Sequence, residues 1–280
     1  MNKGISIWSF GELPLSEAFS IAKKAGFEGV EVALDWDGEL TGLSAGPQQW
    51  KQIRAMADAS GIRLYSVASG LYWDWRFTSA DPEKREKASS IARHQLEMAA
   101  YLGCDTILVI PGAVSVDFLG GGEVVDYTEA YQRAGEAISQ LAVDAERVGV
   151  SIGLENVWNK FLVSPLEMAR FLDEIGSPFV GAYLDIGNTL YNGYPEHWIR
   201  ALGSRIKKVH FKDYRCAAGG LCGFVDLLAG DVDWPGVKKA LEEVGYSGWV
   251  TAEMIPQYVH YTDQIVYNTS SAMDRILAGC

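Results

Sequence analysis

Four stretches of the chain carry an apolar run into a side chain that can ligate a cation or move a proton. SIGLENVW passes through Ile152 and Leu154 to Glu155, AYLDIGN reaches Asp185, KKVHFKD carries His210, and WVTAEM reaches Glu253. A carboxylate at the end of an apolar strand is costly unless something pairs with it, and four such ends in succession point to a shared metal ion. Side chains alternate along a strand. If Glu155 faces inward, so do Gly153 and Ser151, while Ile152 and Leu154 face outward. The same phase turns Asp185, Tyr183 and Gly181 inward, turns Glu253 and Thr251 inward, and sets His210 opposite Val209 and Phe211. A single acidic strand end, such as Glu31, is more often a cap or an ion-pair partner. Four converging ones would repel each other without a cation. Three carboxylates and one imidazole suit Mn²⁺, Mg²⁺ or Co²⁺ better than a structural zinc site, which prefers sulfur and nitrogen.

The elements that must position these groups alternate. Strands are expected over Gly4 to Ser9, Gly29 to Leu34, Arg63 to Ser69 and Thr106 to Ile110, then at Ser151, Val180 and Ile206, and over Trp249 to Glu253. Helices fall between them, opened by Ser16, Asp81-Pro82 and Ser164-Pro165 and stopped by Gly26, Gly61, Gly103 and Gly149. Cys216 to Asp233 reads as an irregular Gly-rich segment, and Thr262 to Leu277 as the last helix. Eight β/α units imply a parallel sheet closed on itself, an α/β fold of the (β/α)8 TIM barrel type, with residues 1–280 as a single domain. An open doubly wound sheet is the alternative, weakened by the absence of a GxGxxG turn after an early strand. In such barrels functional groups sit at the C-terminal strand ends.

Composition narrows the partners. A net charge of −12 argues against nucleic acid, whose phosphates need clustered Lys and Arg. Cys104, Cys216, Cys222 and Cys280 are too dispersed for a disulfide framework or a zinc site and read as free thiols. With no signal peptide and no membrane-length apolar run, a soluble cytoplasmic protein is expected.

In combination, LENVWN, YLDIGN, VHFKD and TAEM resemble the xylose-isomerase-like barrel superfamily of sugar and sugar-phosphate isomerases and epimerases. The similarity runs from GISIWSF through FVDLLAGDVDWPGV to the last helix. The resemblance implies one divalent metal, Mn²⁺ first with Mg²⁺ or Co²⁺ as alternatives, held by Glu155, Asp185, His210 and Glu253. It also implies that Glu155 and Glu253 act as acid and base. The activity expected is epimerisation at carbon 3 of a ketose or ketose phosphate through an enediolate. An aldose–ketose (or hydroxypyruvate-type) isomerase and an inosose-dehydratase-like lyase are the alternatives on the same site. The DIGN sequence resembles the sugar-phosphate branch, and members acting on free ketohexoses carry a His where Asn188 stands and a further glutamate near Leu162, so the departures here argue against a free ketohexose.

Substrate contacts are expected from Lys212, Asn156, Asn188, Arg215, Glu31 and His260. For several of these the residues leave a second reading. Lys212 could pair with Asp213, Glu31 could orient a ligand or sit in the core, and Arg215 with Gly219 and Gly220 could be a surface loop. His260 could be structural, and Leu71 to Trp75 could cover the sugar, form a subunit contact or be local core. The partner expected is a small sugar or sugar phosphate, with the protein a homo-oligomer, dimer or tetramer. Related barrel endonucleases need a histidine-rich three-metal site, and this chain has four histidines in all. A non-catalytic sugar-binding barrel is the remaining class.

Overall fold

The computed structural model describes residues 1–120 and 122–279. Its strands are β1 (Asn2–Ser6), β2 (Gly29–Ala33), β3 (Arg63–Ala68), β4 (Thr106–Val109), β5 (Ser151–Glu155), β6 (Val180–Asp185), β7 (Ile206–Phe211), β8 (Asp213–Tyr214), β9 (Phe224–Val225) and β10 (Trp249–Ala252). Eight of them form a closed barrel in the order β1-β10-β7-β6-β5-β4-β3-β2, and the pairings given are all parallel. Around it lie α1 (Leu15–Ala25), α2 (Pro47–Ser60), α3 (Pro82–Leu102), α4 (Tyr127–Val148), α5 (Pro165–Ile175), α6 (Ile186–Thr189), α7 (Pro195–Leu202), α8 (Trp234–Glu243) and α9 (Gln264–Ala278). The (β/α)8 barrel expected from the alternation is the fold observed.

Local chemistry explains the joints. Asp81, Asp126, Ser164 and Asp233 accept hydrogen bonds from backbone N–H groups of the first helical turn, satisfying donors that the helix cannot. The outward faces of the strands, including Ile107, Ile152, Leu154, Val209 and Val250, pack against helix residues such as Ile91, Ile138 and Leu141 in one continuous core. Inside the barrel the filling is aromatic. Tyr65 stacks on Trp249 with centroids 4.0 Å apart and its hydroxyl meets Thr251 Oγ1 at 2.8 Å. Tyr183 packs with Ala68 and Leu108. These rings need bare backbone opposite them. A Cβ on Gly4 would lie 2.2 Å from the Tyr65 hydroxyl, and one on Gly153 would lie 2.9 Å from the Tyr183 ring.

Several boundaries differ from expectation. β1 ends at Ser6, and Ile7–Phe10 turns as a 3₁₀ helix. Pro14, not Ser16, precedes α1, whose N-terminus has no side-chain cap. The segment from Cys216 is not wholly irregular, because β9 pairs antiparallel with β8. The short helix α6 follows Asp185 directly, and α9 begins at Gln264. Cys104 is buried, Cys216 and Cys222 are exposed, and all three are free; Cys280 lies outside the described residues. Among the described residues no helix is long and apolar enough to cross a membrane.

Candidate metal centre

Glu155 is the last residue of β5 and Asp185 the last of β6, His210 lies near the end of β7, and Glu253 follows β10. One ligand atom from each lies within 4.8 Å of all the others, and all four residues are buried. His210 Nδ1 is 3.2 Å from Glu253 Oε2, 3.5 Å from Glu155 Oε1 and 3.9 Å from Asp185 Oδ2. The register explains the meeting: a shift between Ala182 and Tyr183 sets Asp185 directly beside His210 across β6 and β7. Asp185 Oδ2, His210 Nδ1 and Glu253 Oε2 are buried without a hydrogen-bond partner. The Lys212 ammonium lies against the two carboxylate oxygens, and all three atoms aim at one place. Oxygen-rich donors with one imidazole fit a hard or borderline divalent cation, so the residues present suit such an ion.

A second layer fixes these side chains. Glu31, fully buried at 0% exposure, meets His210 Nε2 at 3.0 Å and accepts a hydrogen bond from the Tyr183 hydroxyl. Holding Nε2 this way turns Nδ1 toward the cluster. Of the two roles open for Glu31 in the sequence, the geometry is that of an orienting group. Asn156 brackets the β6 backbone, its Oδ1 accepting from Asp185 N at 2.8 Å and its Nδ2 donating to Asp185 O at 2.9 Å. Asp185 Oδ1 accepts from Asn188 N at 2.8 Å, which leaves Oδ2 for the cluster. Asn188 in turn donates through Nδ2 to Asn156 O at 2.9 Å.

The charges set the protonation. Burial pushes the Glu155 carboxyl up to about 7, although the hydrogen bond from His210 opposes it. Burial raises Asp185 too, with Lys212 acting against it. Burial would raise Glu253 as well, but Lys212 and His210 outweigh it and hold that carboxyl at about 2. Burial disfavours a charged His210, yet Glu31 and Glu253 carry it well above the ordinary imidazole range.

Lys212 is not paired with Asp213. Its Nζ lies 2.5 Å from Glu253 Oε2 and 3.2 Å from Asp185 Oδ2. Asp213 is engaged elsewhere, accepting from Tyr214 N, Leu228 N, Val232 N and Trp234 Nε1 and so anchoring the segment after β8.

A cleft of about 490 Å³ opens above the cluster, lined by Glu155, Glu253, Lys212 and Asn188 with Trp8, Trp73, Trp158 and Phe224 among its walls. Of the six expected substrate contacts only Lys212 and Asn188 line it. Asn156 is held on the Asp185 backbone and Glu31 lies behind His210, and the last two point elsewhere. Arg215 is exposed and donates to Ala229 O at 2.6 Å, which ties down its own loop. His260 is exposed and lines none of the four cavities around the barrel mouth. The Leu71 to Trp75 cluster divides its roles. Tyr72 is core, donating to Gln95 Oε1 at 2.6 Å, Trp73 lines the cleft, and Trp75 stacks on Trp36 at 5.9 Å.

Sequence reasoning passed over Trp158 and Gly187. Trp158 is the aromatic of LENVWN, and its placement depends on loop packing that has no period to read. Gly187 faces Lys212: a Cβ there would lie 2.6 Å from Lys212 Cβ. The glycine of DIGN was the available signal.

A family model described as "Xylose isomerase-like TIM barrel" matches residues 19–269. The protein SgbU of Escherichia coli (strain K12), named provisionally as an L-ribulose-5-phosphate 3-epimerase, is 28% identical over 251 residues, covering 87% of this chain and 84% of its own length. The rhizopine catabolism protein MocC of Rhizobium meliloti is 24% identical, with 89% and 78% covered. Among solved structures, a D-psicose 3-epimerase with D-tagatose from Clostridium cellulolyticum H10 superposes with a TM-score of 0.83 at 20% identity, covering 100% of both chains.

Proposed function

The chain belongs to the xylose isomerase-like TIM barrel family, and on that premise we propose that it is a divalent-metal-dependent epimerase acting at carbon 3 of a ketose. The observation that carries the reading is the convergence of four buried ligand atoms, one each from Glu155, Asp185, His210 and Glu253, within 4.8 Å of one another. Glu155, Asp185, His210 and Glu253 would hold the ion, with Mn²⁺, Mg²⁺ or Co²⁺ suited to the donor set. When bound, the ion supplies Lewis-acid stabilisation of the negative charge that develops on the substrate.

The chain's own groups move the proton. One glutamate takes the C3 proton, and the electron pair passes to the C2 carbonyl oxygen. The other glutamate returns a proton to C3 from the opposite face as the carbonyl re-forms. Glu155 and Glu253 stand on β5 and just beyond β10, which β6 and β7 separate around the barrel, so they approach from different sides. Burial keeps Glu155 near 7 while Lys212 and His210 keep Glu253 ionised. In the metal-free site the surroundings thus set the two carboxyls apart, one able to carry a proton and one free of it, an asymmetry that two-base chemistry can use. Lys212, on the wall of the cleft, is placed to donate to a sugar oxygen.

The test is NMR of a ketose panel in deuterated water, with protein stripped by chelator and reloaded with Mn²⁺. The expected result is metal-dependent deuterium at C3 with inverted configuration and no loss of water. Exchange at C1 with an aldose product would assign an isomerase, and loss of water a lyase. No solvent exchange with any ketose would leave a sugar-binding barrel in place of an enzyme.

A further inference from the structure

The cleft above the cluster adjoins a second cavity of about 360 Å³. Phe118, Val157, Trp158, Asn188 and Leu221 line both. Each volume alone is in the size range of a small-molecule site. Past the shared wall the annex is lined by Leu162, Tyr191, Asn192 and Trp198.

Trp158 forms the partition. Its ring stacks on Phe224 at 5.1 Å and lies against Tyr191 at 4.9 Å, and its Nε1 donates to Asn188 O at 3.1 Å. Tyr214 meets the same ring edge-on at 5.3 Å, so Trp158 is the centre of a rigid aromatic stack whose exposed member on the annex side is Tyr191. An exposed aromatic with amide groups near it suits a sugar ring, which has an apolar C–H face and a rim of hydroxyls. The loop beneath is held in place as well. Lys160 and Leu162 occupy the left-handed region at φ 55° and 51°, which side chains of their size adopt at a cost. Asn159 braces that turn, accepting from Phe161 N at 3.0 Å and donating to Gly112 O at 2.6 Å.

Charge separates a sugar ring from a phosphate. Lys160 is the one cationic side chain lining the annex among the described residues, and it is paired with Asp117 at 2.8 Å. No arginine lines either cavity among the described residues, and Lys212 is already between two carboxylates. Unpaired cationic side chains favour a phosphate dianion, and the annex presents only a neutralised pair among the described residues.

We propose that the substrate is a keto-sugar bearing a second, uncharged sugar ring, with the keto unit over the metal centre and the second ring in the annex against Tyr191, which Trp158 backs. The placement of the keto unit rests on the epimerase reading above. Binding and turnover test the two ideas separately. Mn²⁺-treated protein is titrated with fructose, fructose 6-phosphate, and the fructose-containing disaccharides lactulose and isomaltulose, following tryptophan fluorescence. At least one disaccharide should bind about tenfold more tightly than both single-ring sugars. Tyr191→Ala should remove most of that advantage without changing Tm, since Tyr191 is 66% exposed. Equal affinity for one and two rings, tighter binding of the phosphate, or an advantage that survives Tyr191→Ala overturns the proposal. Absent solvent exchange across all four sugars would sink the epimerase reading, while the binding order would still decide the annex.

Discussion

Glu155 and Glu253 are like charges in one buried site, and their surroundings drive them apart. Burial keeps a proton near Glu155, whereas Lys212 and His210 strip one from Glu253. If Glu155 transfers a proton as well as holding an ion, Glu155→Gln removes the proton transfer and keeps the size and one oxygen. Turnover should fall at least about a hundredfold, the lower end of what a general acid or base contributes, with some Mn²⁺ binding retained. Near-normal activity in that variant would end the proposal. Glu31 makes a different prediction because it touches His210 and not the cleft. Glu31→Gln weakens the acceptor that holds the imidazole, so Mn²⁺ affinity should drop about 10–100-fold. Calorimetric titration checks this, and unchanged affinity would reduce Glu31 to core filling.

At the scale of elements, the four convergent groups were legible because strand alternation is a strict period and each strand ends in one polar group. Asp185 and His210 share a face whatever the loops do, and the β6–β7 register then places them side by side. Contacts from connecting segments were not legible in that way. Arg215 and His260 follow functional strands in sequence, yet loop direction has no period, and both side chains lie away from the cleft. The β8–β9 hairpin was hidden because the segment is anchored by Asp213 through three donors distant in sequence, Leu228 N, Val232 N and Trp234 Nε1. Gly187 joins two elements: α6 begins just before it, and it abuts the residue that follows β7. Gly187→Ala would drive a methyl into Lys212, moving the ammonium that bridges Asp185 and Glu253. A loss of about 1–3 kcal/mol is expected from such overpacking, together with weaker Mn²⁺ binding. Urea denaturation with and without Mn²⁺ measures both, and a variant as stable as the parent would show that the contact relaxes freely.

Across the whole molecule, the cluster links stability to pH. Glu155 and Asp185 have folded-state pKa values raised above their unfolded ones, as does His210. Each therefore contributes stability that is present below its unfolded pKa and is lost as pH rises through the folded value. Glu253 is depressed, so its contribution is present above the unfolded value and fades only in acid as pH falls toward about 2. Between pH 5 and pH 8 the site's net slope is thus downward for the metal-free protein, with Glu155 crossing near 7. A divalent cation reverses the balance, because it needs Glu155 ionised and His210 neutral. Its binding to the folded state alone adds stability. The Tm of chelator-treated protein should fall from pH 5 to pH 8, and the upward Tm shift on adding Mn²⁺ should grow over the same interval. The net charge of −12 also opposes compactness as pH rises, so Glu155→Gln serves as the control. It keeps the general charge effect and removes the titration near 7, and the Mn²⁺ shift should then grow less steeply with pH. A Tm shift that is flat with pH in the parent, or equally steep in Glu155→Gln, would mean that the ion binds without displacing a proton from Glu155.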